Sequence, residues 1–179
     1  MRRRAIVGLM AVLAASALVV GTSGAVGGAS VRSAAPPLCA GKTKKAAIKA
    51  ITKAYTYFLD GVKAPTADVK EPYIQYLSGK NVDEELLAQF RASAEANAAA
   101  AATTSVDVDK VKCAGKKKAD VDFTLVIGGS RTEGLAPPGN AVLEGKKWKV
   151  GALTLCNTTA LGDPSVLETE PCATIVLEG

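Results

Sequence analysis

A chain of 179 residues with 48% apolar and 22% charged side chains has the size and composition of one globular domain once its ends are set aside. It contains no histidine, which excludes Ser-His-Asp and Cys-His catalysis, and without a Cys-x-x-Cys pair it lacks the usual spacings for zinc or haem. The formal charge of +5 owes much to Arg2, Arg3 and Arg4; without them the chain is near balance and offers no basis for binding nucleic acid.

Those arginines open a tripartite leader. Ala5–Val20 carries no charge, and Gly21–Ser30 is built mostly of small residues, as in a secretory signal peptide. Cleavage after Ala25, Gly27 or Ala29 fits, and residues 1–29 are assigned to the signal peptide. The apolar run falls short of the ~18–20 residues that a spanning helix needs, so no stable membrane anchor is expected after cleavage. Leu38 ahead of Cys39 argues against a lipid anchor. Four cysteines, Cys39, Cys113, Cys156 and Cys172, remain in the exported part and read as two disulfides with three possible pairings.

Residues 30–41 form a spacer of small residues and proline. From Lys42, Ile48, Ile51, Tyr55, Phe58, Leu59 and Val62 share one helical face while Lys42, Lys45, Lys49 and Lys53 share a neighbouring arc, predicting an amphipathic helix that stops near Gly61. Pro72 suits the first turn of a short second helix, with Tyr73, Ile74 and Leu77 inward and Gly79 as its cap. Asn81 with Glu84 resembles a capping box for a third helix, in which Leu86, Leu87 and Phe90 are buried and which continues into the alanine-rich run Ala92–Ala102.

The period then changes to two. Val106 and Val108 alternate with aspartates, and the parity shifts to Val111 and Cys113, which predicts a bulge near Asp109-Lys110. After a turn at Ala114–Lys116, Val121, Phe123, Leu125 and Ile127 form one inward face. Gly128-Gly129 is a further turn, Ser130–Glu133 a short strand and Leu135–Gly139 a loop. Gly139–Cys156 reads as a hairpin: Ala141–Glu144, a turn at Gly145-Lys146, and Lys147–Cys156 as a long strand. Trp148 and Val150 share one face and Leu153 and Leu155 the other, so Gly151 is predicted to mark a bulge or a strand buried on both faces. Residues 157–179 form an acidic tail with Thr174–Leu177 as a possible edge strand. Proximity in sequence favours Cys156 with Cys172, leaving Cys39 with Cys113. The layout is α+β: three N-terminal helices packed on a curved four- to five-stranded antiparallel sheet.

Tyr55–Gly61 (YTYFLDG), the alanine-rich third helix and Gly145–Val150 (GKKWKV) running on to Cys156 resemble the C-terminal domain of the low molecular weight antigen family of secreted actinobacterial proteins. The resemblance covers about residues 42–160 and implies an NTF2-like, cystatin-like cone over residues 42–156, with a pocket inside the bent sheet. No established enzymatic activity carries over from the family, and no cofactor is expected.

Four chemistries compete with a purely structural role. Asp107, Asp109, Asp120 and Asp122 could share a sheet face and hold calcium, but no calcium-loop spacing occurs and the nearby lysines favour a solvated strand surface. Asp60 with Tyr55, Tyr57, Tyr73 or Tyr76 could supply acid–base chemistry in a cone pocket, although aromatic residues at helical spacing are usually core. Lys116–Lys118 at a hairpin tip could touch anionic lipid or polymer, but three lysines at a turn usually only solvate it; Asn157-Thr158-Thr159 matches a glycosylation sequon, a pattern that arises easily by chance. The expectation is a secreted binding or interaction module, its pocket drawn from Tyr55, Phe58, Phe123, Trp148 and Val150, taking a small apolar ligand or an envelope protein. A structural or antigenic protein without a ligand is the alternative, and a cryptic acid–base enzyme the third.

Overall fold

The computed structural model describes residues 35–178; the expected signal peptide and the first part of the spacer lie outside them. Helix α1 (Lys44–Leu59) forms because Ala47, Ile51, Ala54, Tyr55 and Phe58 recur at three- and four-residue steps and are buried on one face. Each large side chain on that face contributes roughly 1.5–3 kcal/mol of hydrophobic stabilisation. The helix ends at Leu59, just before the predicted stop near Gly61, and Val62, expected on its apolar face, is exposed. Asp60 stops it: its carboxylate accepts hydrogen bonds from the backbone N–H of Val62 (3.1 Å) and Lys63 (2.9 Å), drawing the chain out of the helical path.

A short helix α2 (Ala67–Lys70) and a 3₁₀ turn at Glu71–Tyr73 replace the predicted second helix. Ile74 instead forms a parallel bridge to Val150, with Gln75 N–H donating to the Val150 carbonyl at 2.8 Å, so this segment covers a sheet edge. Helix α3 (Glu84–Ala96) is capped by Asp83, whose carboxylate accepts from Leu86 N–H; Asn81 is not the cap. Asn97 interrupts the alanine run and α4 (Ala98–Ala101) follows.

The sheet comprises β1 (Thr104–Cys113), β2 (Lys118–Ile127), β3 (Ser130–Thr132), β4 (Gly139–Glu144) and β5 (Lys147–Val150), antiparallel throughout in the order β1-β2-β4-β5, with β3 beside β2. It curls into a half-barrel, and α1 packs on β1 and β5. The register between β1 and β2 shifts between Val108 and Lys110, where the parity change in the sequence places a bulge. Val121, Phe123 and Leu125 are buried as expected, but Ile127, on the same predicted face, is 41% exposed.

The expected long strand Lys147–Cys156 is corrected. It ends at Val150, and α5 (Ala152–Thr159) begins at once, with Gly151 as its N-cap residue. A Cβ on Gly151 would lie 2.3 Å from Asn140 Oδ1, so the Asn140 amide occupies the space a side chain would need. The tail is helical too. After a 3₁₀ turn at Pro164–Glu168, α6 (Cys172–Glu178) stands where an edge strand was expected.

Disulfides join Cys39 to Cys113 and Cys156 to Cys172, the pairing that sequence proximity favoured. The second fastens the start of α6 to α5. The first ties the N-terminal segment to the end of β1, supported by Cys39 N–H donating to Lys116 O at 3.0 Å and by Trp148 Nε1 donating to Pro37 O at 2.6 Å.

Chain-entropy arguments assign about 3 kcal/mol to the shorter loop and about 4–5 kcal/mol to the longer one. Paired serine substitution at Cys39 and Cys113 is therefore expected to lower the guanidinium midpoint more than the same change at Cys156 and Cys172. Equal or absent shifts would contradict these assignments.

Candidate functional site

Where β5 gives way to α5, the chain assembles a buried polar cluster. Thr154, fully buried, accepts from Asn140 N–H at 2.7 Å and donates to Asn140 Oδ1 at 2.6 Å. The Tyr55 hydroxyl donates to the Asn140 carbonyl at 2.9 Å and lies 3.3 Å from Thr154 Oγ1. Burial pushes the Tyr55 phenol well above its ordinary range, only partly opposed by its bond to Thr154. This cluster joins α1, β4 and α5, with Tyr55 and Thr154 both fully buried. Its chemistry is that of a structural lock.

By fixing the direction of α5, the lock shapes a half-open cavity of about 380 Å³ at one end of the sheet. Phe58 and Leu59 come from α1, Phe90 and Ala94 from α3, Leu125 and Ile127 from β2, and Leu155 and Thr158 from α5. The exposed Ile127 is thus accounted for, since it borders this opening together with the exposed Leu135 and Leu161. The volume falls near the lower end of the ~300–1,000 Å³ usual for small-molecule sites, and the lining has their mostly apolar character. Gly61 lets the end of α1 approach the end of α4 beside this cavity: a Cβ there would lie 1.8 Å from Ala101 O.

Of the five residues expected to line a pocket, Phe58 lines this one. Trp148 borders a separate cavity of about 300 Å³ with Lys53, Tyr73, Lys146 and Lys147. Tyr55, Phe123 and Val150 belong to the packed core, where the Tyr55 and Phe123 rings lie 5.2 Å apart. Leu155, Thr158 and Leu161, which the sequence did not suggest for a pocket, come after Gly151: the first two enter the cavity wall because the chain there is helical, and Leu161 follows in the turn after α5. The sequence held one clue: Leu153 and Leu155 could not share a strand face with Trp148.

The other candidate constellations take structural roles. Asp60 is 5% exposed. Burial alone would raise its pKa, but the Lys63 amide, the Lys63 ammonium 3.0 Å away and the Val62 amide together hold it below the ordinary carboxylate range. Its partners are not tyrosines. Arg131 pairs with Asp107 and, at 3.0 Å, with Asp109, which also accepts from Thr124 Oγ1 at 2.6 Å. Asp120 and Asp122 stand opposite Lys112 and Lys110. Asp107 and Asp109 are thus held by Arg131 while Asp120 and Asp122 face lysines across the ladder, and no cluster able to hold a metal occurs among the described residues. No helix among them is long and apolar enough to cross a membrane.

Residues 44–165 match the family model described as low molecular weight antigen MTB12, C-terminal domain. No curated protein and no solved structure gives a significant match.

Replacing Thr154 by valine leaves the Asn140 N–H and Oδ1 without their buried partner and is expected to cost about 2–4 kcal/mol, while serine should retain most of the stability. Chemical denaturation of both variants checks this; equal losses would contradict a hydrogen-bonding role. The depressed Asp60 pKa gives stability that is fully present above the unfolded value of about 3.9 and lost as pH falls through the folded value. Asp60→Asn is expected to flatten the stability–pH curve in that acidic window, and an unchanged curve would contradict the linkage.

Proposed function

Because the chain belongs to the low molecular weight antigen MTB12 family, we propose that it is an exported binding module that holds a small apolar ligand between α3, α5 and the end of the sheet. Export is supported by the leader sequence, by two disulfides in a chain with no free cysteine among the described residues, and by the family's description as an antigen. An NTF2-like or cystatin-like relationship is supported by a curled antiparallel sheet with helices N-terminal to it.

The observation that carries the binding reading is the cavity itself. Phe58, Phe90, Leu125 and Leu155 leave roughly 380 Å³ of apolar space, and exposed Ile127, Leu135 and Leu161 stand at its border. Apolar surface left facing water is stabilised when a ligand covers it. One observation favours the reading without a ligand: the face of the sheet under α1 is filled by Tyr55, Phe123 and Val150, as a purely structural or antigenic protein requires.

An uncharged fluorophore such as N-phenyl-1-naphthylamine should brighten in the presence of the protein. Ala94→Trp, which fills the cavity from a half-exposed position on α3, is expected to abolish the signal with little change in melting temperature. No brightening, or equal brightening with the filled variant, would contradict the proposal.

A further inference from the structure

Among the described residues lining the cavity between α3, α5 and the sheet, only Lys70 carries a charge. It ends α2 and is 8% exposed, a rare state for a lysine. Its Nζ donates to the Phe58 carbonyl at 2.7 Å, satisfying one of the carbonyls left open at the C-terminal end of α1. That bond uses one of the three ammonium hydrogens.

The charge is poorly matched. Asp60 is the carboxylate that acts on Lys70, but it is already bonded to the amides of Val62 and Lys63 and to the Lys63 ammonium. Lys63 therefore balances Asp60, and Lys70 remains a net positive charge in an apolar wall. Burial lowers the Lys70 pKa, with Asp60 opposing the shift, as expected of a buried ammonium lacking a full counter-ion. Capping α1 requires only a hydrogen-bond donor. A charged donor placed in an otherwise uncharged cavity is suited to an anion, whose arrival would offset the desolvation cost.

We propose that the cavity takes a single-chain amphiphile, its anionic headgroup held by Lys70 and its apolar chain lying along Phe90, Leu125 and Leu155. This rests on the cavity being a binding site for an apolar ligand and names the ligand class for that same site. The headgroup could be the carboxylate of a free acid or the phosphate of an ester, since both present anionic oxygens to the ammonium.

Calorimetric titration with dodecanoate, dodecyl phosphate and dodecanol, each below its aggregation threshold, separates the possibilities. Wild-type protein is expected to bind at least one of the anions about tenfold or more tightly than dodecanol, the range of a charge-assisted hydrogen bond. The tighter of the two anions identifies the source as an acid or a phosphate ester. Lys70→Gln keeps an N–H donor for the Phe58 carbonyl and should remove the advantage while leaving dodecanol binding unchanged, which also reports an intact fold. Equal affinity for anion and alcohol in the wild type, or an advantage that persists in the glutamine variant, overturns the role of Lys70 and leaves the apolar site standing. Failure of all three ligands to bind overturns both.

Discussion

The architecture depends on the point where β5 stops being a strand. At Gly151 the Asn140 side chain occupies the volume that a Cβ would need, and Thr154 closes hydrogen bonds to both the backbone and the side chain of Asn140. Buried polar groups of this kind are costly when unpaired and directional when paired, so they set a geometry that apolar packing alone leaves loose. The Tyr55 hydroxyl adds α1 to the same cluster. Helix α1, distant in sequence, is thereby fixed to β4 and α5, and α5 leaves the sheet in a defined direction.

That direction creates the cavity. Had residues 152–156 continued as a strand, Leu155 would sit in a sheet layer and nothing would close the space beyond Phe58 and Phe90. The Cys156–Cys172 disulfide then secures α6 against α5, stiffening the wall from outside. On the opposite wall, Asp60 terminates α1, and Gly61 permits its close approach to Ala101. Lys70 reaches back to the released carbonyl of Phe58. The same helix ending that shapes the cavity thus also places a positive charge in its wall.

Much of this was legible in the sequence where one local pattern decided the outcome. The three- and four-residue spacing of Ile51, Tyr55 and Phe58 gave α1, and the parity shift after Val108 gave the bulge in β1. Proximity of Cys156 to Cys172 gave the disulfide pairing. What escaped was decided by side-chain partners on other elements. Ala152–Cys156 is equally acceptable as strand or helix, and Asn140, on a different element, settles it. Thr174–Leu177 has strand-like β-branched residues, yet the bond from Cys172 to α5 holds the segment against a helix rather than a sheet edge. Helix α1 fills the sheet face expected to hold a ligand, and the cavity lies instead at its end, lined by Phe58 but not by Tyr55, Phe123 or Val150.

If the proposal of an exported protein with a working cavity is right, the cavity of the exported protein should hold its ligand. Native mass spectrometry of protein recovered from its own culture medium reads that occupancy without a choice of probe. The expected spectrum contains a population heavier than the bare chain by the mass of one single-chain amphiphile, released on denaturation. A spectrum showing only the bare mass, under conditions that preserve a known lipid complex of similar affinity, would contradict a ligand-binding role.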